Sequence, residues 1–149
     1  MDRSREDPGK STRPGSAALV EDLDLSEAWR LIESGYRGRL SVIGGDDAPD
    51  IFPLDYVTRS RQIYCRTAPG MKALLLARNP RVAFEVDGDG TAGAWSVVIR
   101  GVAWRVDDAD DAAQSGVTDF RSSAPPPRDV LLRIAPFSVL GRRLRARLE

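Results

Sequence analysis

Between Arg39 and Val106 every apolar stretch is short, and turn residues close one after another: Gly44-Gly45, Pro69-Gly70, Asn79-Pro80 and Asp87-Gly88-Asp89-Gly90. Apolar runs of this length, bounded by such clusters, specify strands. They place strands over Arg39 to Ile43, Ile51 to Val57, Gln62 to Arg66, Val82 to Val86 and Trp95 to Val106, with Gly101 marking a bulge or barrel corner. Arg59-Ser60-Arg61 is short enough for a hairpin. A last strand, Val130 to Ile134, precedes Pro136 and a basic tail. Helices are few. Leu25 to Ser34 has Asp24 as its cap, Glu27 three residues on, an apolar face of Leu25, Trp29 and Ile32, and Gly35 at its end. Met71 to Ala77 reads as a short helix stopped at Asn79-Pro80, and 107–120 could form another. Six short strands with two or three small peripheral helices predict a mostly β (α+β) barrel or sandwich.

A chain of 149 residues suits one domain with a real core. The charged, Pro-, Gly- and Ser-rich residues 1–20 read as a disordered leader, leaving 21–149 as the folded unit. Pro125-Pro126-Pro127 reads as a stiff extended linker. Lys plus Arg equals Asp plus Glu at 22 each, so no global field steers the chain to nucleic acid or an anionic membrane. Asp107, Asp108, Asp110 and Asp111 are expected in a solvated turn, and Arg142, Arg143, Arg145 and Arg147 in a frayed tail. No apolar run approaches the ~18 residues of a membrane span, and the single Cys65 argues for no oxidising compartment. A cytoplasmic location is expected. Histidine is absent, which removes Ser-His-Asp and Cys-His catalysis and the commonest metal ligand. No metal site is expected, and any chemistry must come from a bound cofactor.

Three segments could hold one. In Arg66-Thr67-Ala68-Pro69-Gly70-Met71-Lys72 a strand ends, a tight turn follows and a helix begins. Helix N-termini attract anions; Arg66 and Lys72 add charge, Thr67 a hydroxyl, and Gly70 a close backbone approach. An ordinary capped helix would look the same. In Ile51-Phe52-Pro53-Leu54-Asp55-Tyr56-Val57, alternation puts Phe52, Leu54 and Tyr56 on one face and Ile51, Pro53, Asp55 and Val57 on the other. Pro53 lacks a ladder donor, so this strand lies at an edge or bulge, where a planar ring could rest near Asp55; a plain edge strand is the alternative. In the third segment, Trp95 and Ser96 could reach a ligand, or Trp95 could be core. Cys65, inside an apolar strand, reads as inert packing.

Taken in order, the chain resembles the pyridoxamine 5′-phosphate oxidase-like flavin-binding proteins. The matching text is G-R-L-S-V (38–42), F-P-L-D-Y-V (52–57), R-T-A-P-G-M-K (66–72), N-P-R-V-A-F-E-V-D (79–87), W-S-V-V-I-R-G (95–101) and G-R-R (141–143). The resemblance implies a split β-barrel and a homodimer with cofactor sites between subunits. FMN, or a deazaflavin (F420) in related proteins, would lie against Phe52, Pro53, Leu54 and Asp55. Its phosphate would be held by Arg66, Thr67, Gly70 and Lys72, with Trp95 and Ser96, and Arg142, contributed by the partner. It implies hydride transfer to or from a small substrate, or a non-catalytic flavin-binding or redox-sensing role. The histidine that grips pyridoxine phosphate in the oxidases has no counterpart here.

Overall fold

Asp24 caps the one described helix as expected: its carboxylate accepts from the Glu27 N–H at 2.8 Å, and the Gly35 N–H closes the far end on the Ile32 carbonyl. The computed structural model describes residues 19–68, 70, 76, 78–106 and 130–145. Its elements are β1 (Leu19–Leu23), α1 (Leu25–Ser34), β2 (Arg37–Ile43), β3 (Pro49–Arg59), β4 (Gln62–Thr67), β5 (Arg81–Gly88), β6 (Ala94–Arg105) and β7 (Val130–Arg145). The 1–18 part of the expected leader, most of the Met71 to Ala77 helix, 107–120 and the triple proline lie outside the described residues. All pairings are antiparallel, in the order β1-β7-β4-β3-β2-β5-β6, and β6 also pairs with β7. Six strands therefore close on themselves through the β6–β7 pairing.

The barrel is split along β7. One side of β7 takes β4 over Val130–Ile134, then β1 over Gly141–Arg145, while β6 runs along the other. The mostly β, split-barrel expectation is borne out. The hairpin between β3 and β4 turns on Ser60 and Arg61, both at positive φ (49° and 57°), as a two-residue type I′ turn demands. Gly101 marks a bulge as expected, with a register shift between Arg100 and Gly101.

Inward positions alternate with outward ones, and Leu40, Ile63, Cys65, Phe84, Val97, Ile99 and Ile134 are completely buried. Each large apolar side chain so buried stabilises the fold by roughly 1.5–3 kcal/mol. Helix α1 packs Ala28, Trp29, Leu31 and Ile32 into the same core. Tyr56 joins helix to barrel: its hydroxyl donates to the Ile32 carbonyl, and its ring meets Phe84 edge-on at 5.3 Å.

Two expectations are corrected. Leu19–Leu23 is a strand, although residues up to 20 read as leader. The last strand does not stop at Ile134 but runs through Pro136 to Arg145, and the basic tail is its second half. Proline is tolerated because Pro136 sits opposite Gly101 at the bulge, where ladder bonding is already interrupted. The arginines have matched partners: Arg145 bonds Glu21 at 3.1 Å, Arg142 lies 3.6 Å from Asp22, and Arg143 bonds Glu27 of α1 at 2.6 Å.

Candidate functional site

The Tyr56 N–H donates to the Tyr36 carbonyl at 2.9 Å. An antiparallel ladder alternates its direction, so Phe52, Leu54 and Tyr56 direct their N–H groups to β2, while Ile51 and Asp55 direct theirs to the opposite edge. On that edge β4 pairs only with Tyr56–Arg59. Among the described residues no strand pairs with this edge from Pro49 to Asp55. Pro53, which has no N–H, thus lies where a ladder partner is missing, as the sequence implied. Leu54 is buried and Phe52 packs on the core, whereas Pro53 and Ile51 are exposed on the outward face. Asp55, also outward, is buried against Arg37, whose Nε bonds its Oδ1 at 3.1 Å. That cross-strand partner went unnoticed in the sequence, since it appears only once Arg37 is known to face Asp55 in register.

Beyond Tyr56, β4 continues along β7, with Arg66 opposite Leu131 and Thr67 opposite Val130. Adjacent residues point to opposite faces. Thr67 is turned inward and buried, its hydroxyl 3.4 Å from the Ala68 carbonyl, while Arg66 is half-buried on the outward face. Gly70 has φ +144°, a conformation that favours glycine, and open space where a Cβ would be. Lys72 lies outside the described residues. The β3 edge, Arg66 and Gly70 form one half of a candidate anion-and-ring site.

Trp95 and Ser96 form a separate half. Trp95 packs on the core, and its indole lies so close over Gly88 that a Cβ there would meet it at 2.8 Å. Ser96 pairs between Asp87 and Arg142. Both border a groove of about 450 Å³ shared with Arg142 and Arg143. Arg143 is buried, its Nη2 tied to Glu27 and its Nε without a hydrogen-bond partner among the described residues; the sequence offered no signal for this beyond the run of arginines.

Within one chain the two halves do not converge. Pro53 faces Arg39, Arg39 faces Glu85 and Glu85 faces Val98, so three strand spacings, roughly 14 Å, separate β3 from β6. Arg39 fills that interval, bonded to Glu85 at 2.5 Å and Asp87 at 2.6 Å. Its pKa is raised by those partners, chiefly by the Glu85 hydrogen bond. Hydrogen bonds from Arg143 and then Arg30 hold the Glu27 carboxyl below its ordinary value, and burial raises the Tyr56 phenol. None of these shifts makes an acid or base poised near neutrality. The described residues hold no group of three or more potential metal ligands, and none of their helices is long and apolar enough to cross a membrane. Such an arrangement can bind and orient a ligand.

A family model for pyridoxamine 5′-phosphate oxidase matches residues 24–143. No curated protein matches the chain. Among solved structures, a Corynebacterium glutamicum protein classed as a pyridoxamine 5′-phosphate oxidase is 33% identical, with a TM-score of 0.73 over 83% of this chain and 97% of its own. An FAD-binding protein from Mycobacterium smegmatis is 31% identical, with a TM-score of 0.67 over 83% and 98%. An FAD-binding protein from Mesorhizobium loti is 28% identical, with a TM-score of 0.70 over 83% and 97%.

Proposed function

Because the chain belongs to the pyridoxamine 5′-phosphate oxidase family, we propose that it is a homodimeric, FMN-binding oxidoreductase acting on a small substrate. The observation that carries this is the β3 edge from Pro49 to Asp55, along which no described strand pairs, ending where β4 leaves β3 and runs on to Arg66. A flat ring with polar edges fits such an edge, because exposed backbone groups can bond its heteroatoms while Pro53 offers a donor-free surface. Arg66, with Gly70 and Lys72, would take the phosphate. The M. smegmatis and M. loti relatives bind a flavin dinucleotide, which supports the flavin class.

The wide separation of Trp95 and Ser96 from β3 supports assembly from two copies. In a dimer, the Trp95, Ser96 and Arg142 groove of one subunit would cover the β3 edge of the other. When bound, the flavin supplies the hydride-exchanging ring. The protein would bind and orient it: Arg37 holds Asp55 in place as a group that would meet the ring, and the indole of Trp95 would limit access for water. With no histidine in the chain, protons come from substrate or solvent.

A spectrum of the purified protein tests the reading. Flavin absorbance released on denaturation is expected, and the mass of the released compound distinguishes FMN from FAD or a deazaflavin. Arg66→Ala with Lys72→Ala should abolish retention, and a monomerising variant should lose the cofactor. Unchanged binding in the double variant would overturn the phosphate assignment. Bound flavin that NAD(P)H and other donors never reduce would favour a carrier or sensor.

A further inference from the structure

A second groove reaches from Pro49, at the start of β3, across the outward face where β2, β5 and β6 approach the bulge of β7. It encloses about 410 Å³, within the range of small-molecule sites. Its concavity follows from register. Gly101 faces Pro136 and Arg100 faces Ser138, so Phe137 is the extra residue of the bulge and stands 54% exposed.

The groove has no carboxylate in its lining, and its charged members are Arg81 and Arg100. Elsewhere on the sheet Arg37, Arg39, Arg142, Arg143 and Arg145 reach an Asp or Glu, while Arg59 bonds the Thr58 carbonyl and Arg133 lies over the Trp104 ring. Arg81 and Arg100 have no carboxylate partner among the described residues. Arg81 faces Val102 while Arg100 faces Ala83, so the two residues are diagonal neighbours on one face. Diagonal positions lie roughly 7–8 Å apart, within reach of two long side chains that can close on one anion. Asn79 spends its Oδ1 on the Arg81 N–H at 3.1 Å, which leaves its amide donors for another group. Ser41 adds a hydroxyl. Phe137 has the Arg100 guanidinium 5.7 Å from its ring centroid.

We infer that this groove binds a phosphorylated small molecule carrying a flat ring, of mononucleotide size. The phosphate bridges Arg81 and Arg100, with the Asn79 amide as a further donor, and the ring stacks on Phe137. Only Pro49, at the far end of the β3 edge, borders both sites, and no side chain assigned to the flavin ring or phosphate takes part, so the two readings stand or fall separately.

The test is a fluorescence titration of the full-length protein, with its own cofactor, with trinitrophenyl-AMP. Inorganic phosphate serves as a competitor. Arg81→Ala with Arg100→Ala should weaken binding at least tenfold. Phe137→Ala should weaken trinitrophenyl-AMP binding but not phosphate competition. Arg59→Ala with Arg61→Ala, at the β3–β4 turn, should leave both unchanged. All variants should keep their flavin content and elution volume. Wild-type affinity in the Arg81/Arg100 variant, or an equal loss in the Arg59/Arg61 variant, overturns the proposal. So does a changed elution volume of the Arg81/Arg100 variant, which would make the groove a contact between copies. A silent Phe137→Ala removes the ring half of the assignment.

Discussion

Removing the Tyr56 hydroxyl should cost the fold a small, calculable amount. The hydroxyl donates to the carbonyl of Ile32 at the end of α1, and that carbonyl also accepts from the Gly35 N–H at 3.2 Å. Tyr56→Phe therefore removes one buried hydrogen bond without orphaning the acceptor. The loss belongs near the middle of the usual range, about 1 kcal/mol. In a chain of this size that lowers Tm by about 3–4 °C. Tyr56→Leu also removes the edge-on contact with Phe84 and leaves a cavity, and should cost about 3 kcal/mol. Urea titrations of the three proteins measure this, provided the m-value is unchanged. A second readout is alkaline. Burial raises the Tyr56 phenol above its ordinary value of 10.0. An acid kept neutral by the fold contributes stability while the unfolded tyrosine is also neutral, and that contribution is lost as pH rises past about 10. Wild type should lose more stability over that limb than Tyr56→Phe. A Tyr56→Phe protein as unstable as Tyr56→Leu, or with the same alkaline limb as wild type, would refute this account of how α1 is held.

Glu27 makes the opposite prediction. Arg143 and Arg30 depress its pKa below 4.5, so its contribution is present above that value and is lost as pH falls through it toward the depressed one. Glu27→Gln should flatten the acid limb of a Tm-against-pH profile; an unaltered limb would count against the pair. At Gly101 a Cβ would meet the Ala135 carbonyl oxygen at 2.5 Å. Gly101→Val should therefore cost about 2–3 kcal/mol, read as a lower urea midpoint, and a shift below about 0.5 kcal/mol would show that the bulge can give way.

What could be read from the sequence was what depends on near neighbours. Asp24, Glu27 and Gly35 announce α1, and its bounds, Leu25–Ser34, match the expectation. Gly101 announces the bulge. Longer-range features were hidden. Pro136 looked like a terminator because its harmless placement depends on Gly101, 35 positions earlier and across a ladder. The arginines from 142 looked frayed because Glu21 and Asp22 reach them only through the β1–β7 register. The candidate site divides in the same way. Pro53 and Asp55 could be placed from alternation alone, but neighbours on a strand face opposite ways. Hence Thr67 is buried while Arg66 is not.

The shared strand β7 also has a consequence for biogenesis. Of the described strands it is the last to leave the ribosome, yet β1, β4 and β6 all bond to it. Until it emerges, β4 and β6 are open edges, and the apolar interior they enclose is wet. The contacts that seal the barrel are among the most distant in sequence, which slows folding and lengthens exposure to aggregation. Nascent chains stalled within β7 should be protease-sensitive throughout, and should acquire resistance in one step on release.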